Sequence, residues 1–179
     1  MGMNNKALMM RHLWTIISQH PNSIWVEWIY SNCLRRYSIW TINIVASSSW
    51  GWRQLLKIRE SIQVFCTYKI GKGDRFWLWM EPWGSIGALL NIFPTIPRTL
   101  GIPQEAKLLV VINGEEWNWS RRRAAVTRMV RENLPQIHSS REDAVVWNLT
   151  THGRFTTNLA REAIRTHQES NRGITFLEV

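Results

Sequence analysis

Apolar positions in the first third of the chain fall on helical spacings. From Asn4 to Ser18, Ala7, Met10, Trp14 and Ile17 recur three and four residues apart, and Leu13 and Ile16 widen the stripe. This predicts an amphipathic helix stopped by His20-Pro21. A second helix is expected from about Ser23 through IWVEWIYSNCLR; it is apolar on most sides and therefore expected to be packed, and Arg35 and Arg36 suit its C-terminal end. Ser47 to Ser49 offers an N-cap for a third helix, in which Trp52, Leu55, Leu56 and Arg59 share a face and which should close near Arg59.

The period then changes to two. VFCTYKI and RFWLWM are strand-like runs flanking Gly71-Lys72-Gly73-Asp74, which predicts a β-hairpin. A glycine loop that grips phosphate needs a helix directly after it, so that backbone amides and the helix N-terminus converge on the anion, and the Walker form needs Ser or Thr after Gly-Lys. Neither follows here, so the glycines are read as supplying positive φ to a hairpin turn. Proline and glycine thicken between Pro82 and Pro103, most densely in FPTIPRTLGIP, and predict a linker or extended crossing. Beyond it the apolar run AKLLVVI ends at Asn113-Gly114. Ser120 is placed to cap a helix over RRRAAVTRMVREN, with Val126, Met129, Val130 and Leu134 on one side and Arg121, Arg128 and Arg131 opposite. The last segment repeats the grammar in small: AVVWNL, a Thr-Thr-His-Gly turn, the short strand RFTT and a helix capped by Thr157 over LAREAIR, with fraying from about Gln168.

Together these elements predict an α+β fold. A helical part with a Trp-rich hairpin occupies residues 1–93, a Pro-rich crossing 94–103, and a smaller helix-plus-hairpin part 104–179. At 179 residues, 45% apolar and 20% charged, the chain can bury a core as one ordinary domain or two small ones. No apolar run approaches the roughly 20 residues that cross a bilayer, and Lys6, Arg11 and His12 interrupt any signal-type stretch. Neither a membrane partner nor export is expected, and the place of action is expected to be intracellular, in the nucleus or cytoplasm.

Candidate chemistry is sparse. Cys33 and Cys66 stand far apart without a Cys-x-x-Cys, so they are read as buried or half-buried thiols rather than a zinc site or a disulfide. Only two aspartates occur, Asp74 and Asp143, whereas a two-metal nuclease or polymerase site needs clustered carboxylates. The five histidines are isolated, and no Gly-x-Ser-x-Gly elbow is present. No catalytic residue, metal or cofactor is expected. What changes the picture is a formal charge of +9 and twelve tryptophans. Cations neutralise phosphates with release of counterions, and aromatic faces stack on unpaired bases. The candidate phosphate contacts are Arg121, Arg122, Arg128 and Arg131 on the basic helix, Lys72 and Arg75 at the glycine turn, and Arg35 and Arg36.

Several ordered phrases, SIWVEWIYSNCLR, SSSWGWRQLLKIRE, YKIGKGDRFWLWMEPWGSIGALL, INGEEWNW and EDAVVWNLTTHGRFTTNLAREAIR, give the chain a further likeness. It resembles the segment that follows the polymerase domain in reverse transcriptases of plant non-LTR (LINE-type) retrotransposons, and the last phrase is similar to the opening of their zinc-binding domain. The resemblance runs from about Asn4 to Arg165. It departs from the family at Trp79-Met80-Glu81-Pro82-Trp83, where Trp-x-Asp-x-Trp is usual, at Gly87-Ala88-Leu89 in place of Gly-Pro-Leu, and at Arg161, where a tryptophan is common. It implies a connector without the paired aspartates of the polymerase or the zinc ligands, which would lie upstream and downstream. The implied partner is RNA or single-stranded DNA, held without sequence preference. A structural or protein-interaction module prone to self-association, or a relic without function, is the alternative.

Overall fold

The computed structural model describes residues 3–20, 22–119 and 125–174. It is an α+β structure in which helices alternate with two small two-stranded sheets. The chain divides into two compact units, each gathered from separated segments: unit 1 from residues within 1–26, 44–66 and 147–179, unit 2 from residues within 27–43 and 67–146.

Unit 1 is helical. Helix α1 (Met3–Ile17) packs against α3 (Trp50–Gln63) and α7 (Thr157–Ile174). Most of the expected stripe is buried: Ala7, Met10, Leu13, Ile16 and Ile17 are inside, and Trp14 is half-buried. Helix α3 starts where expected, with the Ser49 hydroxyl accepting the Trp52 N–H at 3.3 Å. It runs a turn beyond the expected stop at Arg59, because Ile58 and Ile62 continue the buried face of Leu55 and Leu56. Helix α7 buries Ala160 and Ile164. It is capped by the Thr156 hydroxyl rather than by Thr157, and it stays helical to Ile174 instead of fraying from Gln168. Under the helices lies an aromatic cluster: Trp147 meets Trp14 edge-on at 5.5 Å, Phe155 edge-on at 4.8 Å and Phe65 at 5.4 Å. The expected strand over RFTT is irregular backbone up to Thr157, where α7 begins; it is tied back by the Thr150 hydroxyl donating to the Arg154 carbonyl at 3.0 Å and, just before it, by the Trp147 N–H on the Gly153 carbonyl at 3.0 Å.

The second expected helix is short and changes pitch. Helix α2 (Ile24–Trp28) passes into a π-helical turn over Ile29–Leu34, closed by the Arg35 N–H on the Tyr30 carbonyl with Arg35 at φ 50°. The segment is not packed on all sides: Val26, Ile29 and Leu34 are buried, whereas Ile24 is 84% and Trp28 55% exposed. Its apolar content had suggested the opposite.

Unit 2 is built from loops, single turns and tryptophans. Strand β1 (Cys66–Lys69) exists, but its partner is β4 (Ala144–Trp147), not RFWLWM. The Trp-rich hairpin is thereby overturned. Residues after the glycines bond instead to a distant segment: the Leu108 N–H donates to Phe76 at 3.0 Å, the Leu78 N–H to Ala106 at 2.9 Å, and the Leu109 N–H to Gly73 at 2.8 Å. Of RFWLWM only Trp77 forms a β-bridge, with Lys107, and Leu78–Met80 make a turn with all three side chains buried, so the period of two did not carry through as a strand. The Pro-rich stretch holds a packed helical turn, α5 (Ile96–Leu100), after the short α4 (Leu89–Ile92). Proline at its start and Gly101 at φ 67° after its end suit a one-turn helix, and Ile96, Pro97 and Leu100 are buried, so this is no extended crossing. A 3-10 turn (Leu108–Val111) leads into the antiparallel pair β2 (Ile112–Asn113) and β3 (Glu116–Trp117). Of the basic helix, α6 (Ala125–Arg131) is seen; its expected cap and start at 120–124 lie outside the described residues. Val130 is buried as expected, but Met129 is 43% exposed. Four indoles form the centre: Trp83 stacks on Trp117 at 5.2 Å and on Trp119 at 6.3 Å, and Trp119 tilts against Trp79 at 6.0 Å.

Candidate functional site

The glycine loop of unit 2 grips an anion, and the anion belongs to the chain itself. Asp143 Oδ1 accepts the N–H groups of Gly71 at 2.7 Å and Gly73 at 3.0 Å, and Oδ2 accepts the N–H of Arg75 at 2.9 Å. Alternate amides, of residues 71, 73 and 75, turn toward one point and form a concave nest for negative charge, here without any helix behind it. The sequence permits this because neither glycine could be replaced without conflict. A Cβ on Gly71 would stand 2.1 Å from the Arg141 carbonyl oxygen; Gly73 has φ +77°, and a Cβ there would approach the Leu109 nitrogen to 2.8 Å. The Arg75 guanidinium donates to the Asp143 carbonyl at 3.1 Å, and Lys72 pairs with Glu142. Asp143 is 1% exposed, so three amide bonds replace the water it has lost.

A second buried carboxylate lies in the same unit. Glu81 Oε2 accepts the Tyr68 hydroxyl at 2.8 Å, and that hydroxyl accepts the Trp40 indole N–H at 2.8 Å. Burial pushes the Glu81 carboxyl above the usual range, against the opposing pull of hydrogen bonds from Tyr68 and Ser38 and of the Lys107 charge. Burial likewise lowers the Lys107 ammonium, opposed by Glu81, Asp143 and Asp74. Lys107 donates to the Arg75 carbonyl at 2.9 Å and lies over the Trp77 ring, 3.5 Å from its centre.

The expected phosphate contacts therefore divide. Arg121 and Arg122 lie outside the described residues. Lys72 and Arg75 are engaged with Glu142 and Asp143, the hydrogen bond and charge of Glu142 raising the Lys72 ammonium. Arg35 and Arg36 are exposed just after the π-helical turn, between exposed Trp28 and Tyr37, while Arg128 and Arg131 are exposed on α6, with Arg131 also reaching the Trp119 carbonyl at 3.4 Å. All six described residues belong to unit 2. Basic and aromatic surface coincide on Trp28–Tyr37, a segment whose exposure the sequence had hidden.

Sequence reasoning missed Asp143, set aside because it has no neighbouring aspartate. The available signal was a Gly-x-Gly without a following helix, which asks for an anion from elsewhere in the chain. Cys33 and Cys66 are free and half-buried, as expected; burial pushes the Cys66 thiol up to about 12. Among the described residues no three His, Cys, Asp or Glu side chains group to hold a metal ion, and no helix is long and apolar enough to cross a membrane. No protein-family model, curated protein or solved structure matches this chain.

Proposed function

We propose that the chain is a non-catalytic connector of the LINE-type reverse transcriptase kind, which holds RNA or single-stranded DNA without sequence preference through unit 2. The observation that carries this reading is the exposure of Arg35 and Arg36 together with Trp28 and Tyr37 in one short stretch of chain, in a chain of formal charge +9. Guanidinium groups reach phosphates and the two rings offer stacking faces, a combination that tolerates any base. Arg128 and Arg131 add charge in the same unit.

The test is fluorescence anisotropy with labelled unstructured RNA and single-stranded DNA across a salt series. Affinity should fall steeply with salt, and Arg35→Glu with Arg36→Glu should weaken all sequences alike and flatten the salt slope by roughly one for each phosphate that is no longer neutralised. Arg128→Glu should do the same to a smaller extent. Unchanged binding in both variants sinks the proposed interface.

One observation favours a second reading, a protein-interaction module. Ile24 is 84%, Trp50 65% and Val45 53% exposed, more apolar display than a solvated surface needs. Light scattering separates the two: a monomer that binds RNA supports the connector, and an oligomer blind to nucleic acid supports the module.

A further inference from the structure

We infer that the Gly71–Arg75 loop is a small-oxyanion binding site whose resident ligand is the chain's own Asp143 carboxylate, and that a free carboxylate can take its place. The recognition resides almost wholly in the backbone. Three N–H groups converge on two oxygens of one planar group at 2.7, 3.0 and 2.9 Å, from residues 71, 73 and 75. The loop is shaped for that approach, since Gly71 is pressed on the Arg141 carbonyl and Gly73 takes a positive φ. Positive charge surrounds the same place, through the Arg75 guanidinium on the Asp143 carbonyl and the Lys107 ammonium on the Arg75 carbonyl.

Such a nest recognises a carboxylate by its two oxygens and its charge, not by the chain that carries it. The bond joins residues about seventy positions apart, so the anion acts as a latch between distant segments of unit 2. The inference is independent of nucleic-acid binding.

The ligand is testable by matched replacement. Asp143→Ala removes the atoms of formate, and Asp143→Gly removes those of acetate. Both variants should lose melting temperature in chloride. Formate should restore at least half of the loss in Asp143→Ala and act better there than acetate, acetate should serve Asp143→Gly at least as well as formate, and each restoration should saturate with anion concentration. Wild type should respond to neither beyond chloride of equal ionic strength. If the variants are unfolded in chloride, the same salts should return the near-ultraviolet signal of the tryptophans. A response equal to that of chloride, or no recovery at any formate concentration, overturns the site. Asp143→Asn gives an independent reading: losing the charge and the Oδ2 acceptor, it should move the Arg75 amide proton resonance upfield. Gly71, Gly73 and Arg75 amides all unchanged from wild type would also overturn the inference.

Discussion

Two glycines show how differently the two units are held. Gly51, in helix α3 of unit 1, has open space where a Cβ would stand, whereas Gly71, in the loop of unit 2, has a carbonyl oxygen 2.1 Å away. Unit 1 is a helical packing in which apolar stripes meet and surface positions are free to vary. Unit 2 has few regular elements, and its shape depends on backbone pressed against backbone and on two buried carboxyl groups, Glu81 and Asp143, held by hydrogen bonds. A helix face averages over many contacts; a nest around one carboxylate does not.

The same substitution should therefore have opposite signs in the two places. Gly71→Ala should cost on the order of 3 kcal/mol or more, because the obstructing atom is backbone and cannot rotate away. Chemical denaturation read by tryptophan fluorescence measures it, and a loss as small as that of a surface substitution would break the contrast.

Next in size is a pH effect confined to unit 2. Glu81 is raised mainly by burial, so its folded form holds a proton more tightly than the unfolded chain does. Its contribution to stability is then fully present below the unfolded value and is lost as pH rises from there through the folded value. Glu81→Gln should remove that decline, which amounts to about 1.4 kcal/mol for every pH unit separating the folded and unfolded values. Denaturation of both proteins over the acid to neutral range decides it; parallel curves would mean the carboxyl is not the titrating group.

Smaller effects belong to unit 1. Ser49→Ala removes the cap on the Trp52 N–H and should cost about 1 kcal/mol. Gly51→Ala should stabilise by about 0.5–1 kcal/mol, since a helical glycine loses more backbone freedom on folding than alanine and the new methyl meets nothing. Thermal melts of the two variants sharpen the comparison; a destabilising Gly51→Ala would show that α3 is as constrained as the glycine loop.

How much could be read in advance follows the same division. The stripe of α1, the Ser49 cap and the start of α3 were legible because helix periodicity and capping are local: each depends on residues within a turn or two. The segment Ile24–Leu34 was misjudged because apolar content says nothing about which side finds a partner, and Ile24 and Trp28 find none that covers them. At the candidate site, Arg35, Arg36, Arg128 and Arg131 were legible as charge, and all four are exposed. Lys72 and Arg75 were legible as charge too, but not as charge already engaged.

By itself, the sequence determined the α+β class, the helices of unit 1, the positive charge and a glycine turn with positive φ at Gly73. Only the tertiary structure decided that β1 pairs with β4, that each unit is gathered from separated segments, and that the turn closes on Asp143. The reason is physical. Spacing and propensity act over a few residues, whereas a strand chooses its partner, and a loop its anion, by what the rest of the chain brings alongside.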